Sequence, residues 1–129
     1  MYQAGVGTAC NTRHYLVGDF GDECTPHSHE YQLQFSCAAP ALDENGFAVN
    51  IALMEEAVEE FSRLMDGVLL NDLPFFTEKQ ASVENYAEFA LQELFAYMRK
   101  RGFSESNISS AEVKVWESET AWASYRWGP

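Results

Sequence analysis

Between His27 and Phe35 the chain reads HSHEYQLQF, so that His27, His29, Tyr31, Leu33 and Phe35 alternate with Ser28, Glu30, Gln32 and Gln34. A period of two over this length is the pattern of a strand with one buried face. Residues i and i+2 of a strand project to the same side. Two of the chain's three histidines therefore stand side by side, within reach of one ion. An H-x-H half-site needs at least one more ligand, and His14 closes a weaker alternating run from about Tyr2. A hairpin with VGDFGDECTP in its connection would bring His14 alongside the pair. Three imidazoles with an open fourth position form the donor set of a catalytic zinc, although nickel, cobalt and iron accept the same ligands. The same spacing is also met by two surface histidines at a strand entrance.

The rest of the chain supplies a frame for that strand. After the turn DENG, the residues Ile51, Met54, Val58, Phe61 and Met65 recur at steps of three and four, which predicts an amphipathic helix with Asn50 as its N-cap and Gly67 near its end. A second helix is predicted from about Ser82, burying Tyr86, Ala90, Leu94 and Met98 and ending in RKRG, where basic residues suit the negative end of the helix dipole. AEVKVWES and TAWASYRW alternate again and predict two closing strands with a tight turn near Ser118 and Glu119. The order is ββααββ. No repeat or linker divides the chain, so residues 1–129 are expected to share one core.

Charge narrows the partners. Eight Lys and Arg against 20 Asp and Glu give a net charge of -12, which argues against binding a phosphate backbone. No apolar run approaches the ~20 residues needed to span a bilayer. The N-terminus lacks the basic and apolar regions of a signal peptide. Three widely spaced cysteines, Cys10, Cys24 and Cys37, fit reduced thiols better than a disulfide framework. These features read as a soluble, cytoplasmic chain with neither nucleic acid nor membrane as partner.

The ordered set TRHYL (12–16), HSHEYQLQF (27–35), GFAVNIALMEEAVEE (46–60), LMDGVLLND (64–72), SVENYA (82–87) and WESETAWASY (116–125) resembles the 6-pyruvoyltetrahydropterin synthases. That family serves tetrahydrobiopterin formation and includes the 6-carboxytetrahydropterin synthases of queuosine biosynthesis. The resemblance implies an α+β tunnelling fold (T-fold), an antiparallel four-stranded sheet with two helices on one face, assembling as a homo-oligomer, trimer or hexamer. It implies a lyase acting on 7,8-dihydroneopterin triphosphate, with zinc on His14, His27 and His29. A cysteine before the H-x-H pair would move protons, and a glutamate in the C-terminal hairpin, Glu117 by position, would anchor the pterin. Glu117 continues the face of Ala111, Val113 and Val115, where a carboxylate needs a partner; an ion pair with Lys114 or Arg126 would also provide one. Ser82 and Glu84 occupy the family's Thr-x-Glu-Asn position and are expected either to line the pocket or only to start the helix.

The chain departs from the family pattern at the proton-moving groups. In the queuosine branch the cysteine stands four residues before the first histidine of the pair; here Glu23 holds that place and Cys24 follows it. Another branch carries a glutamate in the catalytic role. The family's Asp-His pair becomes Asp66-Gly67, and the middle of His-Gly-His becomes Ser28. With all three histidines assigned to metal, no imidazole remains for acid-base work. Cys24 is then the expected base, with Glu23 or Asp66 assisting. Alternatively Cys24 completes a closed, structural metal site, or the chain binds zinc and pterin with turnover lost or redirected.

Overall fold

The computed structural model describes residues 1–129. Strand β1 (Tyr2–His14) leads through a single 3-10 turn (Gly21–Cys24) to β2 (His27–Ala39). Helices α1 (Ile51–Met65) and α2 (Val83–Arg99) follow, and β3 (Ser110–Trp116) and β4 (Trp122–Trp127) close the chain. The four strands form one antiparallel sheet in the order β1-β2-β3-β4. The ββααββ order and the sheet agree with the sequence expectation.

Alternation decides which face of the sheet is covered. Along β2 the odd residues Tyr31, Leu33, Phe35, Cys37 and Ala39 are buried while Glu30, Gln32 and Gln34 face water. The inward row packs against Met54, Ala57, Val58, Phe61 and Met65 of α1 and Tyr86, Ala90, Leu94 and Met98 of α2. Full burial of the larger apolar side chains among them, such as Met54, Val58, Phe61 and Leu94, contributes about 1.5–3 kcal/mol each. Ile51 departs from its expected stripe and is half-exposed, because it opens the first turn of α1, beyond the sheet-facing run that begins at Met54. Both helices start as expected: the Asn50 side chain accepts from the Leu53 N–H and the Ser82 side chain from the Asn85 N–H, each at 3.2 Å.

Two devices hold the end of β1 that carries His14. The chain leaving α1 turns at Gly67, whose φ of 73° suits glycine, and runs along the otherwise free edge of β1. There the Gly67 N–H donates to Asn11 O at 2.8 Å and the Arg13 N–H to Val68 O at 2.9 Å. Beyond β1, side-chain amides take the place of a neighbouring strand. Asn71 accepts from the Tyr15 N–H and donates to the Tyr15 carbonyl, both at 3.0 Å. Gln80 makes the same pair with Val17, at 2.9 and 3.0 Å. The exit from β1 is thereby fixed against the α1–α2 connection.

Candidate metal centre

The hairpin register sets the three histidines together. His14 lies directly opposite His27, and Thr12 opposite His29. Ring centroids are separated by 4.5 Å for His14 and His27, 5.2 Å for His14 and His29, and 4.9 Å for His27 and His29. Two rings are oriented from behind. His14 Nδ1 meets the Ala81 carbonyl at 2.6 Å and His27 Nδ1 meets the Thr25 carbonyl at 2.7 Å. A carbonyl only accepts, so each Nδ1 carries the proton and each Nε2 carries the lone pair.

The three Nε2 atoms are buried and none has a hydrogen-bond partner. Buried polar atoms are ordinarily satisfied, and three orphaned nitrogens in one place fit a shared cation. Glu23 joins them: one ligand atom from each of His14, Glu23, His27 and His29 lies within 4.8 Å of every other. The pKa of His14 is lowered, chiefly because burial disfavours its charged form and further by the neighbouring His27 and His29, against the raising effect of its bond to Ala81. A neutral imidazole is the form that ligates. The donor set therefore fits zinc or a similar borderline metal.

Beneath the rings lies a second polar layer on the same face. Thr12 and Tyr86 share a hydrogen bond at 2.9 Å between their hydroxyls. Burial pushes the Cys10 thiol up to about 11, which keeps it protonated. Tyr31 packs its ring 5.3 Å from His29 and 4.9 Å from Tyr86, and its buried hydroxyl has no partner. Its pKa is raised first by burial and then by Glu117 and Glu23. Two carboxylates from separate loops thus act on one phenol.

The other expected site residues fall in different places. The Cys24 thiol donates to the Gly18 carbonyl at 3.0 Å and stands outside the cluster, whose fourth member is Glu23. Asp66 is exposed at the C-cap of α1 and is also outside it. Glu117 is half-buried just past β3, its N–H bonded to Ala121 O at 3.0 Å. Neither Lys114 nor Arg126 forms an ion pair with it: Lys114 lies over the rings of Trp116 and Trp122, and Arg126 donates to the Pro129 carbonyl. Ser82 caps α2 and Glu84 is exposed in its first turn. Missed in the sequence were the carbonyls of Ala81 and Thr25, the clamps Asn71 and Gln80, and the orphaned Tyr31 hydroxyl. Backbone carbonyls leave no sequence signal; Tyr31 was visible as the next inward residue after His29.

An α+β sheet carrying a histidine-carboxylate cluster at the loop end of its first hairpin defines the class of protein. The family model for 6-pyruvoyl tetrahydropterin synthase matches residues 7–127, and the chain belongs to that family. No curated protein matches it significantly. Among solved structures it resembles the Caenorhabditis elegans 6-pyruvoyl tetrahydropterin synthase, with a TM-score of 0.80 and 17% identity over 98% of this chain and 96% of that one. The Plasmodium falciparum synthase gives 0.77 and 17% over 98% and 99%. A Plasmodium vivax synthase in which a catalytic glutamate is replaced by alanine gives 0.77 and 15% over the whole of both chains. At these identities the likeness shows the fold, which is the T-fold.

Proposed function

We propose that the protein is a zinc-dependent lyase of pterin metabolism acting on 7,8-dihydroneopterin triphosphate or a close relative. The observation that carries this reading is the trio of buried, unpartnered Nε2 atoms of His14, His27 and His29 on one sheet face. When bound there, zinc supplies a positive charge that acidifies the hydroxyls of the substrate side chain. His14 and His27 keep their donor lone pairs aimed inward through their Nδ1–H bonds to Ala81 and Thr25. Glu117, half-buried and free of any ion pair, accepts adjacent pterin N–H groups through both carboxylate oxygens. Ser82 and Glu84 lie at the start of α2, with Glu84 free to reach the same ligand.

For proton transfer we assign Glu23, whose Oε2 would accept a proton from the substrate side chain. Support comes from its place in the histidine cluster and from the catalytic glutamate described for the Plasmodium vivax protein. Cys24, with its thiol turned to Gly18, would assist only after its loop rearranges, and Asp66 only from the end of α1. The polar outer face of the sheet and the unpaired far edge of β4 support a homo-oligomer, trimeric or hexameric, built through strand edges.

The test is incubation of zinc-loaded protein with 7,8-dihydroneopterin triphosphate, with products followed by mass spectrometry beside a chelated sample and His27→Ala. A 6-pyruvoyl- or 6-carboxytetrahydropterin product that appears only with metal supports the lyase. A second reading rests on Gly67, which leaves the chain no fourth imidazole: a zinc- and pterin-binding protein without this turnover. It predicts tight binding of the substrate and its recovery intact.

A further inference from the structure

We propose that Glu23 is a fourth metal ligand in the substrate-free protein and leaves the metal when substrate enters, an inference that rests on the three-histidine centre proposed above. Glu23 Oε2 lies 3.2 Å from His27 Nε2. Because His27 Nδ1 donates to Thr25, Nε2 of the neutral ring is a lone-pair acceptor, and so is the carboxylate oxygen. Two acceptors at that separation repel unless a cation lies between them. A proton on Nε2 is a poor candidate, since the pair fails the angular requirement of a hydrogen bond and Nε2 remains unpartnered. A metal needs no such line. Donors held on one zinc at about 2.0–2.1 Å in a tetrahedron stand about 3.3 Å apart, close to the separation found.

The surroundings of Glu23 differ from those of the histidines in the way a displaceable ligand requires. Its backbone is pinned, with the Leu16 N–H donating to Glu23 O at 2.8 Å. Its side chain, however, is 51% exposed and makes no hydrogen bond to the protein. His14, by contrast, is 2% exposed and tied to Ala81. A carboxylate on a fixed hinge, with water on its far side, can ligate the ion or turn away without moving the sheet. Substrate hydroxyls that take its place leave a free carboxylate beside the substrate side chain, where a base is wanted. The closed four-donor site of the free protein and the open site of a catalyst would then be two states of one side chain.

The experiment compares wild type, Glu23→Gln and Glu23→Ala, loaded with zinc or cobalt(II). Competition with a chromophoric chelator gives the zinc affinity, and visible absorption of the cobalt forms reports the coordination sphere. Loss of Glu23 is expected to weaken zinc binding about 10- to 100-fold or more and to change the cobalt spectrum. The variant spectrum should respond to added azide, which finds an open position, while the wild-type spectrum responds weakly. On addition of 7,8-dihydroneopterin triphosphate the wild-type and variant spectra should converge. Equal zinc affinities and identical cobalt spectra would overturn the ligand role while leaving the three-histidine centre intact. Spectra that differ with substrate absent and stay different with it bound would overturn the departure of Glu23. Wild type that takes up no zinc, or His27→Ala that retains it, would remove the centre itself and this inference with it.

Discussion

From Leu33 to Ala39 the inward face of β2 is apolar and fully packed, with Phe35 edge-on to Phe95 and Leu33 and Cys37 almost completely buried. From His27 to Tyr31 the same face of the same strand carries imidazole and phenol, three of whose polar atoms lie buried without partners, as does a fourth on His14. One alternation thus serves two purposes. At one end each inward residue lowers the free energy of the fold; at the other, inward residues are held in place although their desolvation is uncompensated. The contrast teaches that the hairpin is stabilised by the half far from its loop and used at the half next to it, the register of β1 and β2 linking the two.

The sharpest way to break the comparison is to truncate one residue from each half. Phe35→Ala removes a fully buried ring and is expected to destabilise by about 3–5 kcal/mol, a large share of the whole stability of such a chain. His29→Ala should shift the stability of the metal-free protein by no more than about 1 kcal/mol, because it also deletes an unsatisfied buried atom, while abolishing tight zinc binding. Urea denaturation in chelator, beside zinc titration, measures both. A His29→Ala loss as large as that of Phe35→Ala would mean that the loop end is core after all.

Metal should act on the fold by binding alone. Zinc at about 100 times its dissociation constant is expected to add about 2.7 kcal/mol, and chelation should return the protein to its metal-free melting point still folded, since the apolar half remains. Unfolding on chelation would restore the reading of a structural staple. Alkylation of Cys24 in the zinc form, without release of the metal, would separate that thiol from the ligand set.

Acidification tests the same end more gently. The pKa of His14 is lowered from 6.5 in the folded chain, burial being the main cause, so the unfolded chain binds this proton more readily. The stability tied to it is fully present above the unfolded value and is lost as the pH falls through the lowered folded one. The metal-free melting point should therefore drop between about pH 6.5 and the acid side of the His14 titration. His14→Gln should flatten that slope; an unchanged slope would place the responsible proton elsewhere.

How much of this could be read from the sequence depends on what encodes each part. The strand at His27 to Phe35 was legible because alternation repeats a two-residue rule, and His14 because a hairpin that ends near it brings it opposite His27. Asn50 and Ser82 announced their helices through local capping chemistry. The boundary between Glu23 and Cys24 was not legible. Both adjoin the half-site, and which one reaches it depends on a single 3-10 turn and on the Leu16–Glu23 hydrogen bond, neither of which has a residue signature. The clamps at Asn71 and Gln80 were hidden for a related reason: each reads as a loop amide until the chain it holds is in place. Asp66 failed to reach the cluster because Gly67 turns the chain along the edge of β1.

The smallest expected effect is the most diagnostic of the boundary between the two halves. Tyr31 is the last residue of the polar end, with its ring packed against His29 and Tyr86 and its hydroxyl unpartnered. Tyr31→Phe keeps the ring and deletes only the oxygen. Were Tyr31 a core residue of the ordinary kind, its hydroxyl would have a partner and its loss would cost about 1 kcal/mol. Here the substitution removes an unmet demand, so the metal-free protein should melt at the same temperature or slightly higher. By the same logic Tyr86→Phe, which strands the Thr12 hydroxyl, should cost about 1–3 kcal/mol. If Tyr31→Phe is the more damaging of the two, the phenol has a partner within the fold and the polar end reaches one residue less far along β2. If it is neutral or stabilising but weakens binding of 7,8-dihydroneopterin triphosphate, that hydroxyl is held for the ligand, and the boundary lies between Tyr31 and Leu33.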